Sequence, residues 1–404
     1  MIDIELFEKA LGLVSPWYVK SSQFDPKEKR LDIYIDFERG GQFACSKCGQ
    51  ADCKAYDTKE KSWRHLNFFE HRAYLHARVP RVDCANCGIQ LIGVPWARKG
   101  GFTLLFEAYV MTLAKEMTVN GISRLVGEHD TRIWRILHHH VDENRSRRDD
   151  SEVSEVGVDE TSSKKGHNYI SVFVDMLESK VLFATEGRNA NTLEAFREDL
   201  EAHRGKAEKV QEVSCDMSPA FISGTQKHFP QANITFDKFH VIKLINNAVD
   251  EVRREEQKER VELKKTRYVW LKNQENLNKT QKELLENLSL KKLNLKTARA
   301  YQIKLAFQEF YKQTEAIAEE FLKRWYFWAT HSRLQPIIDA AKTIKKHWQG
   351  VLRWFTSKIT NGILEGINSL IQAAKAKARG YRSTRNLITI VYIIAGKLNF
   401  NLPT

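Results

Sequence analysis

Three acidic residues stand where folding could bring their carboxylates together. Asp159 lies in a predicted strand, Asp216 ends a later predicted strand, and Glu365 lies on a predicted helix. If the two strands are neighbours in one sheet, both aspartates emerge at the same edge. Carboxylates that meet there repel one another unless divalent cations neutralise them, and hard oxygen ligands suit Mg²⁺ or Mn²⁺. Two such ions could clamp the oxygens of a phosphoryl transfer. Spacing alone does not single out this triple, because the chain has 51 acidic residues.

A second set of candidate ligands consists of two CxxC pairs, each followed by glycine. Its members are Cys45, Cys48, Cys84 and Cys87. Two such knuckles separated by strand-like sequence are what a tetrahedral Zn²⁺ with four thiolates needs, and the ion would fold a module too small for its own core. The gap of about 35 residues exceeds the common spacing of about 15–20, so a redox pair and unliganded cysteines stay open. Cys53 could substitute in one knuckle, and Cys215 is predicted to be a core thiol.

Residues 361–380 are predicted to form the helix that carries Glu365. At about 100° per residue, the polar side chains fall on one narrow stripe and the apolar ones on the other side. The stripe consists of Asn361, Glu365, Asn368, Gln372, Lys375 and Arg379. An ordinary amphipathic helix with a solvated face is the alternative interpretation.

The composition favours a polyanionic partner. The 404 residues carry a formal net charge of +13 with a pI near 9.3, and nucleic acid is the partner that such a charge most often serves. The acidic N-terminus does not resemble a secretory signal, and the longest apolar run, residues 387–395, is too short to span a bilayer. We therefore expect a cytoplasmic protein without a membrane partner, in which the six cysteines are thiols or metal ligands rather than disulfides.

A helix-turn-helix pattern follows the cysteine region. A helix over residues 102–117 precedes a short helix at 120–126, a turn at 127–129 and a second helix from Thr131. Arg132, Arg135 and His139 share one face of the second helix and could contact DNA. A helix pair in an all-α core is the alternative.

The centre of the chain predicts a mixed sheet. Three strands joined by turns are followed by helix, strand, helix and strand, which implies crossovers. Beyond it, three charged helices over residues 250–271, 280–288 and 297–332 predict an inserted all-α subdomain. Exposed cations there and after the Glu365 helix could grip DNA, with aromatic neighbours such as Trp270 stacking on it, although charge runs are often only solvated faces. These candidates are Lys264, Lys265, Arg267, Lys375, Arg379 and Arg382.

Several segments in order resemble those of DDE transposases of bacterial insertion sequences, most closely the ISL-three family. They are GVDE at Asp159, SCDMSPAF at Asp216, FDKFHVIK at Asp237 and NGILEGINSLIQAAKAKARGYR around Glu365. The resemblance covers almost the whole chain, including the paired CxxC knuckles, the helix-turn-helix and TRYVWLKNQENL at residues 266–277.

The resemblance implies a ribonuclease H-like catalytic core with Asp159, Asp216 and Glu365 as the metal-binding triad. Asp237 and His240 also match a family segment, and Asp237 is the alternative second carboxylate. Asn361 and Asn368, which flank Glu365 on the polar stripe, are expected to support the metal site.

The predicted fold class is multidomain, α+β and α/β. We expect a zinc ribbon in 1–95, a helix-turn-helix domain in 96–150, a ribonuclease H-like core in 151–245 and 341–404, and an all-helical insertion in 246–340. The predicted function is a transposase that binds terminal inverted repeats as a homodimer or larger assembly. It would cut transposon ends and join them to target DNA with Mg²⁺ or Mn²⁺. The alternatives are a zinc-dependent DNA-binding regulator with an inactive core, and a ribonuclease H-like nuclease without joining activity.

Overall fold

The computed structural model describes residues 2–164, 166, 168–289, 293–359 and 362–403, which form two compact units. The first unit contains the chain up to Arg145 together with the segment that starts at Leu398, and the second contains Ser146–Lys397. Within the described ranges, no helix has both the length and the apolar character needed to cross a bilayer. The finer domain boundaries expected from the sequence stay predictions.

Among its described residues, the first unit contains one sheet. One helix precedes its strands in the sequence, and three helices follow them. Its elements are α1 (Ile2–Leu11), β1 (Trp17–Asp25), β2 (Arg30–Phe37), β3 (Gln42–Phe43), β4 (Cys53–Arg64), β5 (Arg72–Cys84), β6 (Gly88–Leu91), α2 (Leu104–Glu116), α3 (Val119–Val126) and α4 (Asp130–Ser146).

The sheet of the first unit follows the order β1-β2-β5-β4-β3, and β6 pairs with β5. Strands β2 and β5 are parallel, whereas the other pairs are antiparallel. In β2, Leu31, Ile33 and Ile35 are buried at every second position, which is the period of a strand with one face in the core.

Arg64 links this sheet to the helices of the same unit. It ends β4, its side chain is only 1% exposed, and its guanidinium donates to the backbone oxygens of Ala73 (3.2 Å) and Val126 (3.4 Å). Its Nε lies 3.6 Å from the Glu128 carboxylate in the turn between α3 and α4. A buried cation with these partners fixes the turn relative to the sheet.

The second unit begins with three strands and continues with alternating helices and strands before its helical part. Its elements are β7 (Glu155–Lys164), β8 (Asn168–Asp175), β9 (Lys180–Glu186), α5 (Asn191–Ala202), β10 (Glu212–Cys215), α6 (Pro219–His228), β11 (Asn233–Phe236), α7 (Lys238–Glu256), α8 (Arg267–Leu271), α9 (Lys279–Leu288), α10 (Lys296–Phe310), α11 (Glu315–Thr330), α12 (Gln335–Lys346), α13 (Trp348–Leu352), α14 (Trp354–Ser357), α15 (Gly362–Lys377) and α16 (Thr384–Ala395).

The sheet of the second unit has the order β11-β10-β7-β8-β9. Strands β7, β8 and β9 form an antiparallel meander, and β10 and β11 run parallel to β7 after the crossovers through α5 and α6. This confirms the mixed α/β core expected from the sequence. Its central strand is β7, which therefore has a neighbour on each side.

The helical part differs from the sequence prediction in its breaks. A single helix was expected over residues 250–271, but α7 ends at Glu256 and α8 is a separate short helix. The chain turns between them and buries Leu263, which is 0% exposed. The helix expected over residues 297–332 is likewise divided, because α11 folds back so that the Trp325 indole donates to the backbone oxygen of Ile303 at 2.9 Å.

The suggestion that Trp270 stacks on DNA is wrong. Its side chain is fully buried, its indole N–H donates to Thr266 Oγ1 at 3.1 Å, and its ring packs edge-on against Tyr301. The buried Lys304 ammonium donates to the backbone oxygens of Trp270 and Leu271 at 2.9 and 2.8 Å. Trp270 is therefore a core residue that anchors α8 on α10.

Replacing Arg64 by methionine should destabilise the turn before α4. The apolar stem is kept, but three backbone carbonyls, the Asn67 side chain and Glu128 lose a buried cation, which should lower the free energy of local unfolding by roughly 3 kcal/mol. Hydrogen exchange of the α3 amides in the full chain measures this quantity. The exposed Arg30, which pairs with Asp32 at 2.7 Å, provides the matched control R30M with an expected loss below about 1 kcal/mol. Equal protection in both variants would contradict the role of Arg64.

Candidate functional site

Three aspartates lie in one row across the parallel strands. Ser214 of β10 pairs with Gly157 of β7, so Asp216 is level with Asp159 two residues further along both strands. Cys215 pairs with Phe236 of β11, so Asp237 is level with Asp216 as well, and its amide donates to the Cys215 carbonyl at 3.1 Å. Since neighbouring strands lie about 4.8 Å apart, the sheet brings the three carboxylates to one edge.

The Asp159 carboxylate is held by two donors. Its Oδ1 accepts from the backbone amide of Glu160 at 2.8 Å, and its Oδ2 accepts from the Asn368 side-chain amide at 2.6 Å. Burial raises the pKa of Asp159, and the negative charges of Asp216 and Asp237 raise it further. A nearby cation would relieve this electrostatic cost.

Helix α15 docks its polar stripe on β7. One turn after Asn368, the Gln372 amide donates to Thr161 Oγ1 at 2.5 Å and to the Ser162 carbonyl at 3.2 Å. Lys375 Nζ then donates to the same carbonyl at 2.5 Å. The polar stripe predicted from the sequence therefore faces the central strand and is not simply a solvated face.

A glycine permits the close approach of this helix. A Cβ atom on Gly157 would lie 2.9 Å from Leu364 of α15 and 2.4 Å from Met176, which is closer than side chains pack. A larger residue there would require the Leu364 and Met176 side chains to move. Leu364, Ile367 and Ile371 are buried on the apolar side of the same helix, as their spacing predicted.

Asp159 and Glu365 line one open cleft of about 330 Å³. Glu365 is exposed, and it lies on α15 close to one turn before Asn368, which contacts Asp159. The lining residues are Asp159, Asp237, Phe239, His240, Leu364, Glu365, Asn368, Ser369 and Gln372. Asn361, expected to support the metal site, lies outside the described residues.

The two other aspartates differ in their partners. Asp237 caps α7, because its Oδ1 accepts from the Phe239 amide at 2.9 Å, and its Oδ2 lies 3.0 Å from His240 Nδ1. The hydrogen bond to Asp237 raises the pKa of His240 despite its burial. Asp216 is half-buried, and its Oδ1 accepts from the Ser218 amide at 2.9 Å. Asp237 thus caps α7 and lies beside His240.

The four predicted zinc ligands form one cluster in the first unit. The Sγ atoms of Cys45, Cys48, Cys84 and Cys87 all lie within 4.8 Å of one another. Tetrahedral Zn²⁺ with Zn–S bonds of about 2.3 Å requires sulfur separations of about 3.8 Å, so the donor set fits the ion. Gly49 and Gly88 have φ values of +75° and +68°, as expected for residues that complete the two knuckles.

The environments of the clustered thiols differ. The pKa values of Cys84 and Cys87 are raised, that of Cys87 mainly by its hydrogen bond with Cys48, whereas the environment of Cys45 favours the thiolate. Backbone hydrogen bonds from Cys48 and Lys47 lower the pKa of Cys45 to about 7. Cys53 is not one of the clustered thiols, and its Sγ lies 3.5 Å from the Gln50 carbonyl at the start of β4. Cys215 is fully buried at the end of β10, which confirms that it is a core thiol.

The helix-turn-helix has the predicted geometry. Thr118 caps α3, Gly127 ends it with φ of +68°, and α4 begins at Asp130. The apolar face of α4 is buried, with Ile133, Ile136, Leu137 and Val141 in the core. The first unit therefore presents the opposite face of α4 for contacts.

The three predicted DNA-contacting residues of α4 differ in their availability. Arg132 forms an ion pair with Glu128 and lies over the Phe102 ring at 4.3 Å. Arg135 is exposed, whereas His139 is half-buried with Nε2 3.5 Å from Glu143. Arg135 is thus the member of the set that is best placed to meet a phosphate.

The cations predicted in the second unit lie at its surface with one exception. Lys264 and Lys265 are exposed, and the exposed Arg267 has its Nε 3.3 Å from Asp250. Lys375 is engaged with β7. Arg379 and Arg382, after α15, are exposed.

Sequence reasoning missed three residues that shape these sites. Gln372 was noted on the polar stripe, but its bond to β7 was not predicted. Phe239 lies beside the recognised Asp237 and His240, and that proximity was the available signal for its place in the cleft. Arg64 gave no signal for its role in the turn before α4, because its partner Val126 is 62 residues away.

Comparison with known proteins adds three family matches that together span residues 41–391 with short gaps. A family model described as a transposase of the ISL3 group matches residues 156–391. The helix-turn-helix domain of transposase family ISL3 matches residues 94–141. The zinc-finger of the transposases of IS204, IS1001, IS1096 and IS1165 matches residues 41–87, which, with the cysteine cluster, indicates a structural zinc site.

Two curated relatives match over nearly their whole length. The transposase for insertion sequence element IS1001 of Bordetella parapertussis is 30% identical over 399 residues, covering 95% of this chain and 96% of the relative. The transposase for insertion sequence element IS1557 of Mycobacterium tuberculosis is 25% identical, covering 100% of this chain and 98% of the relative. The chain therefore belongs to the ISL3 family of transposases, with a DNA-binding helix-turn-helix, as its sequence segments predicted.

Proposed function

We propose that this transposase binds the terminal inverted repeats of a bacterial insertion sequence, cuts DNA at the transposon ends and joins them to target DNA. The observation that carries the proposal is the row of Asp159 and Asp216, together with the cleft that Asp159 and Glu365 line. Such an enzyme would act on chromosomal DNA in the cytoplasm. Two ends must be held together for joining, so the active form would be a homodimer or a larger assembly.

Asp159, Asp216 and Glu365 would hold Mg²⁺ or Mn²⁺. Their donors are hard oxygens, and the raised pKa of Asp159 reflects burial and neighbouring negative charge that a cation would offset. When bound, such ions supply charge stabilisation for the attacking and leaving oxygens of an in-line phosphoryl transfer. Asn368 holds Asp159, and Asp237 positions His240 and the start of α7.

DNA contacts would come from both units. The exposed face of α4 with Arg132, Arg135 and His139 would meet the terminal repeat. Cations of the second unit would contact the phosphate backbone near the cleft, and these are Lys264, Lys265, Arg267, Lys375, Arg379 and Arg382. Structural Zn²⁺ on the four clustered cysteines would stabilise the first unit.

Neutralising any triad carboxylate should abolish Mg²⁺-dependent cleavage while DNA binding is retained. For D159N, D216N and E365Q we expect rates lower by roughly a thousandfold or more, because each loses a charged ligand in a site that depends on charge. A labelled duplex that carries the element's own end, incubated with Mg²⁺, measures nicking and strand transfer.

The D237N variant is the matched comparison for D216N. It loses the partner of His240 but no proposed ligand, so its rate should fall less than that of D216N. A larger loss in D237N would make Asp237 the second ligand. A wild-type protein that binds ends but never nicks them would support a regulator instead, and nicking without joined products would support a nuclease.

Loss of a clustered cysteine should remove zinc and unfold the surrounding knuckles. We expect about one Zn²⁺ per wild-type chain after extensive dialysis and much less in C84S, with faster proteolysis of the first unit. C53S is the matched control, since Cys53 lies outside the cluster, and it should keep its zinc. Metal analysis of the three proteins decides the matter. Wild-type protein without zinc, or equal loss in C53S, would defeat the zinc proposal.

Removing the Arg135 charge should weaken DNA binding in a salt-dependent way. Loss of one phosphate contact should lower the magnitude of the slope of log affinity against log salt by about one. Titration of R135A with end DNA at several salt concentrations measures the slope. R324A is the control, because Arg324 is an exposed cation of α11 that pairs with Glu320 at 2.8 Å. An unchanged slope in R135A would exclude a phosphate contact by this residue.

A further inference from the structure

The phenyl ring of Phe239 is an exposed apolar surface inside the carboxylate cleft. It is 55% exposed and lines the same cleft as Asp159 and Glu365. Exposed aromatic rings at unrelated surface positions are common, but this one lies at the proposed reaction site. Its ligand must therefore fit beside that site.

The backbone that carries Phe239 is fixed. Its amide donates to Asp237 Oδ1 at 2.9 Å, which holds the residue in the first turn of α7. The ring lies edge-on to the His240 imidazole, with 5.8 Å between the ring centres and 73° between the planes. A ring anchored in this way loses little conformational freedom when it binds a flat partner.

The surroundings of the ring restrict what can cover it. Most of the residues that line the cleft are polar, and Leu364 of α15, the other apolar one, is only 2% exposed. DNA that reaches the carboxylates presents charged phosphates and sugars, and its flat apolar surfaces are the faces of the bases. In a paired duplex those faces are stacked on their neighbours, so a base must leave the stack to meet the ring.

We propose that Phe239 stacks on an unpaired base next to the DNA bond that is cut. This inference rests on the proposed function, because it requires the scissile phosphate to lie at the carboxylate cleft. Aromatic side chains bind bases of any identity through their π faces, so the contact would recognise an opened DNA end rather than a sequence. Phe239 would thereby favour cleavage at a position where the duplex has been opened.

The first test compares cleavage by F239A, F239W and the wild type on end duplexes with Mg²⁺. We expect F239A to cleave roughly ten- to a hundredfold more slowly, and F239W to retain most of the rate, because stacking survives. F327A is the matched control, since Phe327 is a 64% exposed phenylalanine on α11 outside the cleft. It should cleave like the wild type.

Substrate changes separate base stacking from a general structural defect. An abasic site is placed in turn at each nucleotide flanking the cut. When the abasic site replaces the stacked base, the cleavage rate of the wild type should fall towards that of F239A. The cleavage rate of F239A itself should fall little further. Elsewhere the two proteins should respond alike. If F239A loses the same factor on every substrate, or cleaves intact DNA as fast as the wild type, the stacking proposal is overturned.

A binding measurement reports the base directly. The fluorescent base 2-aminopurine is placed at the position found above, and the end is bound by D159N, which is expected to bind without cutting. We expect a fluorescence change that D159N combined with F239A does not give. An identical signal in both proteins would overturn the stacking proposal. A wild-type protein that never cleaves would instead overturn the proposed function, so the two failures are distinguishable.

Discussion

The docking of α15 on β7 is the interaction on which the candidate catalytic site depends. The amides of Asn368 and Gln372 bond to Asp159 and Thr161 across the face of the central strand. A shift of the helix by one turn would leave both amides and their acceptors on the strand without these hydrogen bonds. Unpaired polar groups at such an interface destabilise the fold, so the helix is held in this register. Glu365 is thus kept in the cleft by residues that follow it on the same helix. Gly157 belongs to the same arrangement, since a Cβ atom there would crowd the Leu364 side chain of α15.

The row of aspartates places several negative charges close together at one edge of the sheet. Burial and mutual repulsion make Asp159 harder to ionise, whereas the positively charged form of His240 is favoured by Asp237. The sheet therefore concentrates negative charge at one edge, and His240 neutralises only part of that charge. A divalent cation complements such an edge better than a monovalent side chain, because it accepts several oxygen ligands at once.

In the first unit, the cysteine cluster and a buried arginine fix how the helices are oriented on a small sheet. The cysteine cluster holds together two knuckles that are far apart in sequence, and the buried Arg64 connects the end of β4 to the turn before α4. Glu128 in that turn faces both Arg64 and Arg132. One carboxylate thus joins the sheet to the first turn of the helix expected to meet DNA. Its charge also keeps Arg132 near the protein, which leaves Arg135 as the more available cation.

The sequence by itself determined the elements and the local devices, because these depend on nearby residues. Period-two and period-3.6 patterns located the strands β7 to β11 and the helices α3 and α4, and the CxxC spacing identified the four clustered cysteines. The transposase family followed from short segments in order. Tertiary structure alone decided which polar groups meet, since Asn368 and Asp159 are 209 residues apart and no local pattern encodes their contact. It also decided that Trp270 is buried and that Lys375 bonds to β7, because burial depends on how the chain turns between helices. The breaks after α7 and α10 were missed for the same physical reason: charged sequence favours helix locally, whereas packing against distant helices determines where the helix must end.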